Sequence, residues 1–303
     1  MPTTMSPFRY PGGKTQLSNY IHHLLKQNNV SDMYIEPFAG GAGIPLKLLL
    51  ENKIKRIWIN DYDKSIYSVW YAILNKSEEL KNKIYSVPFD YYTGHDISPE
   101  FSINFWKEQK KIYSGNKTHQ NSVDLAFATL FLNRSNMSGI INGGPIGGYS
   151  QNGTSQIYSR FNKKTLINKI TTISSRKKQI RLTRKNALDM IPMIKKEISP
   201  SSCFIFFDPP YFGQGQNLYY SSFNKKGHEL LSKEILSLHE YRWITTYDKT
   251  KQITDMYQDN NKNFEYHLRY SANNKKRGSA PELLFASPTL KIDSYDKVNL
   301  LSI

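Results

Sequence analysis

Asp208-Pro209-Pro210-Tyr211 follows the apolar run Cys203-Phe204-Ile205-Phe206-Phe207, so it stands where a buried strand ends. A carboxylate, two prolines and an aromatic ring in succession suit one kind of chemistry. The lone pair of an exocyclic amine is delocalised into its heterocycle, and the nitrogen must move toward tetrahedral geometry before it can attack an electrophilic carbon. A carboxylate and a backbone carbonyl that accept its two N–H bonds favour that geometry. Successive prolines stiffen the backbone and donate no N–H, which aims the local carbonyls. The flat face of Tyr211 offers a surface on which an extruded base can stack. Asp208, Pro209, Pro210 and Tyr211 are therefore the candidate catalytic residues. The plainer alternative is a strand ending in a proline turn with a core tyrosine.

Two further segments have the composition of ligand-binding turns. Glu36-Pro37-Phe38-Ala39-Gly40-Gly41-Ala42-Gly43 lies where a strand should turn into a helix, and its small residues let backbone approach a ligand closely. Asn60-Asp61 ends the next apolar run, the place in a doubly wound sheet where an acidic side chain can hold ribose hydroxyls. Together they point to a nucleoside-bearing cofactor, although a tight turn and an ordinary helix cap would leave the same letters. Near the start, Phe8-Arg9-Tyr10-Pro11-Gly12-Gly13-Lys14 sets a cation beside a glycine turn. Phe8 occupies the place of the first glycine of a nucleotide-binding GxxxxGK[ST] loop, which argues against nucleotide hydrolysis.

The elements that must position these residues alternate between strand-like and helix-like runs, the pattern of an α/β sheet. Strands are predicted at Met33 to Glu36, Arg56 to Asn60, Cys203 to Phe207, Trp243 to Thr246 and Leu283 to Ala286, and helices at Thr15 to Lys26, Ile44 to Asn52 and Lys64 to Asn75. With 39% hydrophobic and 22% charged residues among 303, the chain can bury a sizeable core. Lys and Arg number 41 against 25 acids, a formal charge of +16 whose natural partner is a polyanion. No acid occurs from Leu125 through Leu188, whereas eleven Lys and Arg do. Helix faces in solvent usually mix signs to gain i,i+4 pairs, so this stretch is expected to meet phosphates. Glycines and amides interleave between Asn133 and Gly153, which suggests a mobile loop whose amides reach base edges. The chain lacks an apolar run of about 18 residues, and membrane binding is not expected. A lone cysteine, Cys203, allows no internal disulfide, so a reducing cytoplasm is the expected setting. The seven histidines show no metal-ligand spacing, and no metal is expected.

These segments, in the order cofactor turn, recognition insertion and DPPY, make the chain resemble the Dam-type, D12-class adenine-N6 DNA methyltransferases in the alpha arrangement. Asp208 to Tyr211 matches that family's catalytic tetrad letter for letter. Phe8 to Lys14 is similar to its N-terminal cofactor segment, and Glu36 to Gly43 to its FxGxG region, although here Phe38-Ala39-Gly40-Gly41-Ala42 sets a glycine one place early. Phe131-Leu132-Asn133-Arg134 and Arg160-Phe161-Asn162-Lys163 resemble parts of its target-recognition region, and Glu282-Leu283-Leu284 its closing strand. The resemblance implies a Rossmann-like S-adenosylmethionine-dependent sheet built from residues 1–75 and 179–303, with a mainly helical target-recognition domain inserted at 76–178. It implies cofactor contacts from Tyr10, Lys14, Glu36, Pro37, Phe38, Ala39, Gly40, Gly41, Ala42, Asp61 at the ribose, Asp189 with Met190 at the adenine, and Asp208. The implied DNA contacts are Asn133, Arg134, Asn136, Ser138, Arg160, Asn162, Lys163 and Lys164. The implied substrate is duplex DNA in a bacterial or phage setting, with a restriction endonuclease on the same site as an open partner. Cytosine-N4 methylation, adenine methylation in RNA, and an idle DNA-binding protein of the same fold are the alternatives. Ser, which the cytosine-N4 relatives usually carry in place of Asp208, is absent.

Overall fold

The computed structural model describes residues 4–9, 14–115, 121–213, 224–268 and 280–303. The chain divides into two compact units, one of Lys14–Tyr62 with Gln179–Ile303 and one of Met1–Gly13 with Asp63–Lys178. In chain order the first contributes α1 (Ser18–Gln27), β1 (Met33–Glu36), α2 (Gly43–Leu50) and β2 (Arg56–Asn60). The second follows with α3 (Lys64–Asn75), α4 (Ser77–Tyr85), α5 (Pro99–Gly115), α6 (Val123–Ser135) and α7 (Lys163–Ser175). The chain then returns to the first through β3 (Ile180–Thr183), α8 (Ala187–Glu197), β4 (Cys203–Phe207), α9 (Lys225–Leu236) and β5 (Arg242–Asp248). It ends with α10 (Lys251–Met256), β6 (Asn263–Leu268), β7 (Ala280–Ala286) and β8 (Leu301–Ser302). Among the described residues no helix is long and apolar enough to cross a membrane.

The strands form one sheet in the order β3-β2-β1-β4-β5-β7-β6-β8. The first five are parallel, and β7 enters antiparallel between β5 and β6. Every residue of β1 and β4 is buried, as central strands covered on both faces require. The succession steps outward one way from β1 and the other way from β4. That reversal opens a crevice at the carboxyl ends of the two strands, the place where open α/β sheets bind ligands. Glu36 closes β1 and Asp208 follows β4, so the fold brings two of the expected site residues to this edge.

Most of the expected elements form where the apolar runs lie, β1, β2 and β4 with the predicted limits. The first helix starts as a 3-10 turn at Lys14–Leu17, and α2 stops at Leu50 because Asn52 turns left-handed at φ 53°. The strand β3 lies inside the acid-free stretch, where the sequence predicts none. It is an edge strand whose Arg181 stacks 3.6 Å over Trp58 and pairs with Glu197 at 2.6 Å, so this cation belongs to the sheet's own surface.

The helical unit is built around α6, apolar nearly all round and buried from Leu125 to Asn133. Helices α3, α4 and α5 pack on it. The sequence reading assigns α3 to the sheet; here its face of Ile66, Val69, Trp70 and Ile73 is buried and it lies with α6. Asp63 caps it, accepting from Ser65 N at 2.7 Å and Ile66 N at 3.3 Å.

Candidate active site

Phe207 pairs with Thr245, so the next residue of each chain segment, Asp208 and Thr246, come to face each other. The Thr246 hydroxyl donates to Asp208 Oδ1 at 2.8 Å, and Lys14 Nζ stands 3.9 Å from the same oxygen. The Asp208 side chain keeps 26% of its exposure, enough to meet a ligand. Its acid is pushed up to about 6, chiefly by withdrawal from water and further by Glu282, while Lys14 and the Thr246 hydrogen bond oppose the rise. It is therefore ionised at neutral pH and acts as an acceptor.

Tyr211 is fixed by a second carboxylate. Its hydroxyl donates to Glu282 Oε1 at 2.7 Å and accepts from Lys14 Nζ. Lys14 also donates to Glu282 Oε2 at 2.7 Å, and Tyr266 OH donates to that oxygen at 2.7 Å. Lys14 and Glu282 are almost wholly buried, a pairing stable only because so many hydrogen bonds accompany it. The lysine read from the sequence as a cofactor ligand is thus engaged by Tyr211 and Glu282.

The small-residue turn lies between β1 and α2. Gly40 and Ala42 are left-handed, at φ 47° and 46°, and Gly43 passes so close to Thr15 that a Cβ would lie 2.2 Å from its Oγ1. Asp61 Oδ2 accepts from Gly40 N at 2.9 Å, and Asn60 donates to the Pro37 carbonyl at 2.9 Å, so the end of β2 holds the turn. Phe38 is partly buried against the core. Glu36 is buried, accepts from Tyr34 OH at 2.9 Å, and its acid is driven well above the ordinary range by burial, with Asp208 adding to the rise and the Tyr34 hydrogen bond opposing it. Tyr10 lies outside the described residues. Met190, expected at the cofactor's adenine, is instead fully buried in the core. Helical spacing turns Ala187, Met190, Ile191 and Ile194 inward and leaves Asp189 exposed in the first turn of α8.

In the helical unit several expected DNA contacts prove to be internal braces. Asn133 accepts from Arg9 N at 2.7 Å and donates to the carbonyls of Arg9 and Gly139, both at 2.8 Å. Asn136 accepts from Trp106 Nε1 at 2.7 Å and donates to the carbonyls of Ile140, Ile141 and Gly143. Gln151 donates to the carbonyls of Ile146 and Gly148 and accepts from Ile157 N at 2.9 Å. The glycine-rich segment is therefore tied down by its own amides, which otherwise unpaired backbone groups demand. Asn162 caps α7 through Thr165 N at 2.8 Å, and Lys163 donates to the carbonyls of Tyr85 and Val87 at the end of α4. Ser138, Arg160 and Lys164 remain exposed.

Behind them lies a cluster of like charges. Arg9 is held by the Asn136 carbonyl at 3.2 Å, Arg134 by the Arg160 carbonyl at 2.8 Å, and Lys169 by the Ser6 carbonyl at 2.9 Å. Burial and then Arg9 and Arg160 push Arg134 down to about 10, and burial and then Arg134 push Lys169 down to about 8. Among the described residues no carboxylate pairs with Arg9, Arg134, Arg160 or Lys169.

Residues 10–272 match the D12 class N6 adenine-specific DNA methyltransferase family. The chain belongs to that family. The type II methyltransferase M.MjaIII of Methanocaldococcus jannaschii is 22% identical over 228 residues, 73% of this chain and 74% of its own. Two structures of the rRNA methyltransferase aviRa from Streptomyces viridochromogenes each cover 92% of this chain and 87% of theirs, at TM-scores of 0.38 and 0.36 with 9% and 10% identity, a likeness too distant to bear on substrate. As a D12-class methyltransferase the protein methylates adenine N6 in DNA and uses S-adenosylmethionine.

Four residues of this methyltransferase's polar clusters escape the sequence reading as site residues. Thr246 and Tyr266 carry no local signal, and β6, which bears Tyr266, is not among the predicted strands. Arg9 is visible only as part of its glycine-rich segment. Glu282 does leave a trace, an acid opening the apolar run Leu283-Leu284-Phe285-Ala286.

Proposed function

We propose that this methyltransferase extrudes its target adenine from the duplex, stacks the base on Tyr211 and accepts its N6–H bonds with Asp208 and the Pro209 carbonyl. The observation that carries this reading is Asp208 itself: partly exposed at the crevice between β1 and β4, ionised at neutral pH, and oriented by Thr246. Drawing both N–H bonds toward acceptors concentrates the lone pair on N6. The proton that N6 releases after transfer has Asp208 as its nearest acceptor. No covalent bond to the protein is required.

The residues present fit S-adenosylmethionine. A cradle of buried small residues, Ala39 to Ala42, follows β1 at the crevice, with the Asp61 carboxylate bonded to it at Gly40 for ribose hydroxyls and the buried Glu36 carboxyl just before it. Glu36, Pro37, Phe38, the cradle and Asp61 would hold the cofactor, with Asp189 as the exposed acid beyond β3 and Tyr10 retained from the family likeness. When bound, the cofactor supplies a sulfonium methyl as the electrophile.

The cluster of Arg9, Arg134, Arg160 and Lys169 supports phosphate binding by the helical unit as a target-recognition domain, because cations crowded together without counter-ions are relieved by an anion. Ser138 and Lys164 are exposed beside the same segments. The type II designation of the relative supports pairing with a restriction endonuclease, to be tested by resistance of modified DNA to such a nuclease. Long-read sequencing and mass spectrometry of DNA from cells expressing the chain test the whole reading. N6-methyladenine at one sequence is the expected product, and N4-methylcytosine would overturn it.

A further inference from the structure

Glu282 lies on β7 opposite Asp248 of β5, with 2% of its side chain exposed. A carboxylate buried that deeply in a sheet is rare unless something requires its charge. Among the described residues it receives bonds from Lys14 and Tyr266 on Oε2 and from Tyr211 on Oε1. Tyr211 belongs to the segment leaving β4, yet its phenol end is fastened to a strand two places away in the sheet. The prolines before it stiffen the backbone only, and the ring's direction is set at its far end by Glu282.

The charge matters as much as the bond. Lys14 stands 2.7 Å from Glu282 and 3.9 Å from Asp208, between two carboxylates. Were Glu282 neutral, the ammonium would turn to Asp208 and compete for Oδ1, the oxygen that Thr246 already engages.

We propose that Glu282 is a positioning residue for methyl transfer, which fixes the Tyr211 ring that receives the base and, by holding Lys14, keeps the Asp208 carboxylate available to the N6 amine. This rests on the reading of Asp208 and Tyr211 given above. Among the described residues the charged and titratable groups that face Asp208 are Lys14 from the turn before α1, Tyr34 and Glu36 on β1, Tyr247 on β5 and Glu282 on β7. Glu282 raises the Asp208 acid and Lys14 lowers it, so removing the Glu282 charge while Lys14 remains lowers the acid limb of the rate profile.

The test compares the wild-type protein with Glu282→Gln and Tyr211→Phe, on a duplex carrying the sequence that the wild type modifies. Transfer of labelled methyl from S-adenosylmethionine is followed from pH 5 to 8. Glu282→Gln is expected to lower kcat about 10- to 100-fold, the scale of a lost charge-assisted bond, with the KM for cofactor changed less than about twofold. Its acid midpoint should move to lower pH. Tyr211→Phe loses the hydroxyl but keeps the Lys14–Glu282 pair, so it should lower kcat and the fluorescence of an extruded adenine analogue without moving the midpoint. A folded Glu282→Gln with the wild-type midpoint and kcat overturns the proposal. If that variant does not fold, Tyr211→Phe decides alone, and wild-type kcat and fluorescence there overturn it equally. A wild type that makes no N6-methyladenine would count against the underlying reading instead.

Discussion

Asn60 closes β2 with 1% of its surface exposed, and its side chain makes four hydrogen bonds. Nδ2 donates to the carbonyls of Pro37 and Lys185 at 2.9 Å each, and Oδ1 accepts from the Thr183 hydroxyl at 2.8 Å and from Lys185 N at 2.9 Å. One amide thus joins the chain leaving β1, β2 and β3 beside the turn proposed to hold the cofactor. Asn60→Ala removes all four, and at about 0.5–1.5 kcal/mol net for each the loss spans about 2–6 kcal/mol. Lys185 is exposed and water can take over its two groups, so the lower part of that range, about 2–4 kcal/mol, is expected. The freed Pro37 carbonyl also loosens the turn, and cofactor affinity should drop about tenfold or more, the equivalent of about 1.4 kcal/mol. Urea unfolding followed by tryptophan fluorescence samples both units, through Trp58 and Trp243 in the sheet and Trp70 and Trp106 in the helices. The loss should fall on the sheet transition, and isothermal titration reads the cofactor. A sheet transition displaced by less than about 1 kcal/mol, with unaltered affinity, would refute the argument that this amide holds the turn.

In the proposed mechanism Asp208 must be ionised to accept N6–H, so kcat should fall as pH drops through a one-proton limb with its midpoint near 6, and Asp208→Asn should abolish that limb. Because the folded acid lies above its ordinary value, the native state binds this proton more readily, so the residue's contribution to stability declines as pH rises toward 6, checked by melting across that window. Asp208→Ala should cut transfer by about 10²-fold with DNA and cofactor binding largely kept. Tyr211→Ala should instead cost about 1–3 kcal/mol of base capture, read with a fluorescent adenine analogue. Arg160→Gln with Lys169→Gln should flatten the dependence of DNA affinity on salt by about 0.9 in slope for each phosphate no longer neutralised, whereas Lys163→Ala should leave that slope alone and cost about 1 kcal/mol of stability. An unchanged slope in the first pair would move the phosphate site away from this cluster.

The proposed chemistry is legible in the sequence where it is local. Asp208 to Tyr211 and the Glu36 to Gly43 turn draw their meaning from prolines, glycines and a carboxylate within a few residues, and the buried parallel strands that carry them are simple apolar runs. The charge of the acid-free stretch was equally plain in the letters. Its division of labour was not. Arg181 serves the sheet edge, Lys163 a helix end, and Arg134 with Lys169 a crowded cation cluster. Asn133, Asn136 and Gln151 look in sequence like amides offered to bases, but in the fold they bond backbone carbonyls and N–H groups of the same loop. The pairing of Lys14 with Glu282 joins residues 268 positions apart. Sequence by itself determined which groups can do the chemistry, because residue type sets acidity, stiffness and shape. Tertiary structure alone decided which of them face each other, because β7 enters antiparallel between β5 and β6 and carries a buried carboxylate to the lysine and tyrosine that need it.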